Sequence, residues 1–137
     1  MYVHTNGPGP TALMRRIASS ARFVAEACDG DEDAATAALE RVYVVKALGD
    51  ADALRETLTA VSAVLRAPVS EDAVVRMIVV DSIAAPFRDD ATNGGWTYAA
   101  KRAGALHKLT MLLKEYATKH DVAVVVTNHV VDSVREN

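Results

Sequence analysis

The chain has 137 residues, half of them hydrophobic, and 15 Lys and Arg against 18 Asp and Glu give a formal net charge of −3. That length fits one domain with a real core, and the slight acidity excludes wholesale nucleic-acid binding, leaving room only for a local contact. Cys28 is the only cysteine, so no internal disulfide framework exists and a reducing compartment fits. No apolar run nears the roughly 20 residues that span a bilayer, so a membrane partner is not expected, and residues 1–5 lack the charged and apolar regions of a signal peptide.

Residues 1–5 read as the end of a strand. Asn6-Gly7-Pro8-Gly9-Pro10 is a loop, since Gly and Pro punctuate the backbone. Thr11 is placed to cap a helix over residues 11–27, with Leu13, Ile17, Ala21 and Val24 on its inner face. Asp29 to Asp33 form an acidic surface loop, and residues 34–40 one or two helical turns. Residues 42–45 are a short β-branched strand. Asp50 or Asp52 opens a helix that turns Leu54, Leu58, Val61 and Leu65 inward. A loop containing Pro68 fills residues 66–73.

Residues 74–80 form a central strand, an apolar run that stops on Asp81 and Ser82. A strand buried on both faces reads as a continuous apolar run, and an acid at its end lies on the carboxyl edge of the sheet, where open α/β folds bind ligands. Residues 89–95 are a polar, glycine-bearing mobile loop. A long helix over residues 97–120 buries Leu106, Leu109, Leu113 and Tyr116. Residues 122–127 are a second fully apolar strand, followed by Asn128 and His129, and residues 131–137 are a frayed polar tail. The alternation of strands and helices predicts an α/β fold, a mainly parallel sheet with helices on both faces and right-handed crossovers.

Val79-Val80-Asp81-Ser82-Ile83-Ala84-Ala85-Pro86-Phe87-Arg88 resembles the second nucleotide motif, Walker B, of the eukaryotic RecA-like recombinases and their paralogues. The helix from Lys101 to His120 and the strand ending Val126-Thr127-Asn128 resemble the elements that follow it in that family. Tyr2-Val3-His4-Thr5 resembles the strand that ends in its Thr-Glu motif. The similarity covers nearly the whole chain and implies a partial RecA-like P-loop NTPase core, residues 1–137 as a single domain. The family's phosphate loop, Gly-x-x-x-x-Gly-Lys-Ser/Thr, is missing, and Gly7-Pro8-Gly9-Pro10 cannot replace it, because prolines remove N–H donors. The chain thus reads as N-terminally truncated.

The resemblance implies roles residue by residue. Asp81 would hold Mg²⁺ through water if nucleotide is bound, and Ser82, Asn128 and His129 would face nucleotide. Arg88, Lys101 and Arg102 would meet DNA phosphates, with Trp96 and Tyr98 available for stacking on bases. Asn6 occupies the position of the family's catalytic glutamate, and an amide cannot take a proton from water. His129 stands where the family has Gln. Plainer roles stand beside these: a strand-end carboxylate capping a helix for Asp81, a backbone hydrogen bond for Ser82, a solvated arginine beside Asp89 and Asp90 for Arg88, and a watered helix face for Lys101 and Arg102.

The family implies ATP and Mg²⁺ as cofactors, single-stranded or branched DNA and another recombinase paralogue subunit as partners, and action in the nucleus in homologous recombination. Lacking the phosphate loop, this chain alone is expected not to bind or hydrolyse ATP. The alternative is a catalytically inactive scaffold or interaction module of a paralogue complex.

Overall fold

The computed structural model describes residues 1–68, 74–88 and 96–129. Residues 69–73, 89–95 and 130–137 lie outside the described residues, and with them the expectations of a mobile loop and a frayed end.

The apolar runs become four parallel strands: β1 (Tyr2–His4), β2 (Val44–Lys46), β3 (Met77–Asp81) and β4 (Ala123–Val126). They lie in the order β2-β1-β3-β4. Register sets Val3 beside Val45 and Val80, His4 beside Asp81, and Ile78 beside Val124. The helices are α1 (Thr11–Ala18), α2 (Ala21–Ala27), α3 (Glu32–Glu40), α4 (Ala51–Arg66) and α5 (Trp96–Lys119), with a short 3-10 turn at Ala85–Phe87.

Side chains alternate across a strand, and the two faces of this sheet differ. One carries Val3, Ile78 and Val80, all fully buried, and packs against Leu54, Leu58 and Val61 of α4 and Leu109, Leu113 and Tyr116 of α5. Phe87 of the 3-10 turn completes this core. The Tyr116 hydroxyl donates to the Leu58 carbonyl and ties α5 to α4. The expected inward faces of both helices are thus found, with Leu65 and Leu106 packed at the core's margin.

Among the described residues the other face is sparsely covered. The α1–α3 group borders its amino-terminal part across a cleft of about 780 Å³ lined by Tyr2, Met14, Ala38, Tyr43, Met77 and Val79, among others. Helices therefore flank both sides, but unequally.

Four expectations need correction. Residues 11–27 are two helices, because the Ser20 side chain accepts from the Phe23 N–H and donates to the Ile17 carbonyl, starting a second helix. The position before α1 is Pro10, with no side-chain cap, and Thr11 is its first helical residue. Leu13 and Ile17 are about half exposed; Ala18 is the buried residue of α1. Finally, β4 is an edge strand among the described residues, with Val125 at 44% and Val126 at 41% exposure, so its apolar run does not mean burial on both faces.

α4 starts where two local signals coincide. Gly49 has φ +127°, a backbone shape that L side chains rarely adopt, and an added Cβ would stand 3.1 Å from that of Ala53. Asp50 then accepts from the N–H groups of Asp52 and Ala53, an N-cap that satisfies two orphan donors. Asp31 caps α3 in the same way.

Candidate functional site at the carboxyl edge of the sheet

In a parallel sheet every strand points the same way, so all the strand-end residues collect on one edge. Asp81 ends β3 there. Its Oδ1 accepts from the Thr127 hydroxyl at 2.5 Å and its Oδ2 accepts from the Tyr2 hydroxyl. The carboxylate thus staples the sheet across three strands, from β1 through β3 to the end of β4. Hydrogen bonds from Thr127, then from Tyr2, hold the Asp81 carboxyl below its usual range; nearby His129 and His4 act in the same direction and partial burial opposes them. Desolvation, and then the Asp81 carboxylate, push the Tyr2 phenol up to about 12.

One residue further, the Thr5 hydroxyl accepts from the Ser82 N–H at 2.8 Å and donates to the Ser82 carbonyl at 2.7 Å. A hydroxyl can do both at once. The Asp81–Ser82 peptide is cis. The Ser82 Oγ is buried with no partner among the described residues, and so is Nδ1 of His4. Gly9 lies over the His4 ring: an added Cβ would come 3.4 Å from Nε2. Gly9 of the Gly-Pro loop therefore packs against His4.

Asn128 and His129 follow Thr127, fully on the surface, and the Asn128 side chain accepts from the His129 N–H at 3.0 Å. They stand beside Asp81 through Thr127. Asn6 and Arg88 line a polar cavity of about 490 Å³ together with Thr5, Leu48, Gly49, Asp50, Ala85 and Pro86. Arg102 lies over the Phe87 ring, its Cζ 5.6 Å from the centroid, and the Tyr98 hydroxyl donates to the Phe87 carbonyl. Lys101 is exposed, and Trp96 is 89% exposed at the first position of α5. The residues singled out from the sequence thus fall in two groups, Asp81, Ser82, Asn128 and His129 at the ends of β3 and β4, and Asn6 and Arg88 around the polar cavity with Arg102 beside it on Phe87; Lys101 lies on the exposed surface of α5.

Sequence reasoning missed Tyr2, Thr5 and Thr127. Thr127 was legible as the polar end of a valine run. Tyr2 and Thr5 meet β3 only through the register of β1, which no local pattern encodes.

An Mg²⁺ ion would find few donors in this group. Among the described residues no three His, Cys, Asp or Glu side chains cluster to hold a metal, and each oxygen of Asp81 already accepts one hydrogen bond. Each retains a second lone pair, so a water-mediated contact is chemically open, but the residues present do not amount to a magnesium–triphosphate site.

A family model described as Rad51 matches residues 1–137. The chain is also similar to the DNA repair protein XRCC3 homolog of Arabidopsis thaliana, 40% identical over 60 residues, which is 44% of this chain and 19% of that relative. The matched part therefore spans about a fifth of that relative's length.

Proposed function

The chain belongs to the Rad51 family, and from that premise we propose that it acts in homologous-recombination DNA repair as a RecA-like recombinase paralogue, working in the nucleus with another paralogue subunit. Single-stranded or branched DNA is its proposed nucleic-acid partner. The observation that supports this reading is that Asp81 ends β3 beside Thr127, Asn128 and His129, while Arg88 lines the cavity shared with Thr5 and Asn6 at the end of β1.

In this proposal Arg88 and Lys101 make the phosphate contacts. A guanidinium offers a planar fork of donors to phosphate oxygens, and an ammonium a point charge. With a net charge of −3 the contact is local, so binding is weak and salt-sensitive. Asp81 and Ser82 mark the nucleotide side, with Asn128 and His129 as its sensors, in an assembly whose other parts supply the phosphate loop and most of the ligands for ATP and Mg²⁺. Phosphoryl transfer in such enzymes rests on positioning and charge neutralisation. This chain carries neither the lysine-bearing loop nor, at Asn6, a carboxylate base, so it turns over no ATP alone.

A second reading is favoured by one specific feature: the Asp81 carboxylate is engaged by Tyr2 and Thr127. An acid used as a staple serves a scaffold, whose role is docking to a paralogue partner without turnover. One experiment separates the two. Fluorescence anisotropy with a labelled oligothymidylate is expected to give salt-dependent binding that weakens in Arg88→Ala. Equal binding by wild type and variant across the salt range removes Arg88 from the DNA site, and no binding by either leaves the scaffold reading. Mg²⁺-dependent ATP hydrolysis lost in Asp81→Asn would overturn the inactive assignment.

A further inference from the structure

Arg102 and Tyr98 are both tied to one residue, Phe87, whose neighbour Arg88 opens onto the polar cavity. Tyr98 and Arg102 are four residues apart on α5, so they share a helix face. One holds the Phe87 backbone by its carbonyl, and the other covers the Phe87 ring. The ring is nearly buried, with 5% exposure, and belongs to the core. The backbone here is fixed as well: the Phe87 N–H donates to the Ala84 carbonyl and the Arg88 N–H to the Ala85 carbonyl, in a turn whose φ is restricted by Pro86. Arg88 thus leaves a rigid base, and its side chain lines the cavity shared with Thr5, Asn6, Gly49 and Asp50.

We infer that Arg102 is a positioning residue and not a phosphate ligand: with Tyr98 it clamps Phe87 and thereby sets the direction in which Arg88 is presented to a DNA strand. The inference rests on the reading of Arg88 as a strand contact. A cation over an aromatic face is attracted by the ring quadrupole, which holds the Arg102 guanidinium against Phe87 although the residue itself is exposed. The family resemblance assigned Arg102 to phosphate; the geometry gives it a different task on the same surface.

Two measurements test this. The first is a salt titration of oligothymidylate binding. Each phosphate neutralised on a single strand contributes about 0.7 to the slope of log K against log salt. Arg88→Ala is expected to reduce the slope by about 0.7. Arg102→Ala should weaken binding at every salt with the slope unchanged, Arg102→Lys should recover part of the loss, and the double variant should bind no more weakly than Arg88→Ala. A slope reduced by about 0.7 in Arg102→Ala, with losses that add in the double variant, makes Arg102 a phosphate ligand and overturns the clamp.

The second measurement uses no DNA. Tryptic cleavage after Arg88, followed by mass spectrometry, should run about two- to fivefold faster in Arg102→Ala, the size of an exposed cation–π contact, and faster also in Tyr98→Phe. Unchanged cleavage in both variants overturns the clamp whatever the DNA result. Faster cleavage with Arg88→Ala binding like wild type keeps the clamp and removes Arg88 from the DNA site, so the two failures are told apart.

Discussion

The two faces of the sheet both carry valines and end in opposite conditions. On the face under α4 and α5, Val3, Ile78 and Val80 have no exposed surface. On the other face Met77 is 49% exposed, Val125 44% and Val44 40%. Alternation along the strands divides them, and the second face mixes its valines with Tyr2, His4, Met77 and Asp81. What differs is cover: two long amphipathic helices on one side, a three-helix group across a cleft on the other. The polar groups of the rim follow the same division. His4 pairs with Asp81, and Tyr2 lies two residues back on the same face, so the Tyr2–Asp81–Thr127 staple belongs to the sparsely covered side. The comparison teaches that an apolar strand does not announce which of its faces is core.

The largest expected effect contrasts these faces directly. Leu54→Ala or Leu58→Ala, both fully buried against the sheet, should cost about 2–5 kcal/mol, the usual range for emptying a core site. Val125→Ala should cost about 0.5 kcal/mol or less, as for an exposed substitution. Urea unfolding measures both, and similar losses at the two sites would remove the distinction between the faces.

A smaller effect sharpens the account of how the covered face is closed on itself at α4. Gly49→Ala places a Cβ in a backbone shape unsuited to it, 3.1 Å from that of Ala53, and should lose more than about 1 kcal/mol. Tyr116→Phe deletes the hydroxyl that reaches the Leu58 carbonyl and should lose about 1 kcal/mol. A neutral outcome for Tyr116→Phe would mean that apolar packing alone joins α5 to α4.

The rim staple is tested by pH. The Asp81 carboxyl is held below its ordinary value of 3.8 in the folded chain. Its contribution to stability is therefore present above the unfolded value and is lost as pH falls through the folded one. Asp81→Asn should destabilise at pH 7 and match wild type more closely in acid. Tyr2 is shifted the other way, from 10 to about 12, so its contribution is complete below pH 10 and is lost as pH rises toward 12. Tyr2→Phe should flatten the alkaline part of the stability profile. Equal pH dependence in wild type and Asp81→Asn would show that the carboxylate is not engaged.

Much of the molecule was readable from residues alone. The run Met77-Ile78-Val79-Val80 ending on Asp81 located the central strand and its rim, and the spacing of Leu54, Leu58 and Val61 gave the inner face of α4. The expected buried face Leu13–Ile17 failed because a helical pattern reports amphipathicity without saying whether a partner is present. The break at Ser19–Ser20 was missed because a capping serine resembles any serine within a helical stretch. Asp81, Asn128 and His129 stand out in the sequence at the ends of two apolar runs, yet the hydrogen-bond partners of Asp81 do not.

By itself the sequence determined the strand-and-helix alternation, the parallel α/β class, the acid at the end of β3 and the family likeness, because these depend on local periodicity and motif order. Only tertiary structure decided that β1 lies between β2 and β3, that Tyr2 and Thr127 claim the two oxygens of Asp81, and that Arg102 rests on Phe87. The reason is physical. Those contacts join residues far apart in the chain, and they form only when strand register and helix packing bring the groups within hydrogen-bond or van der Waals reach.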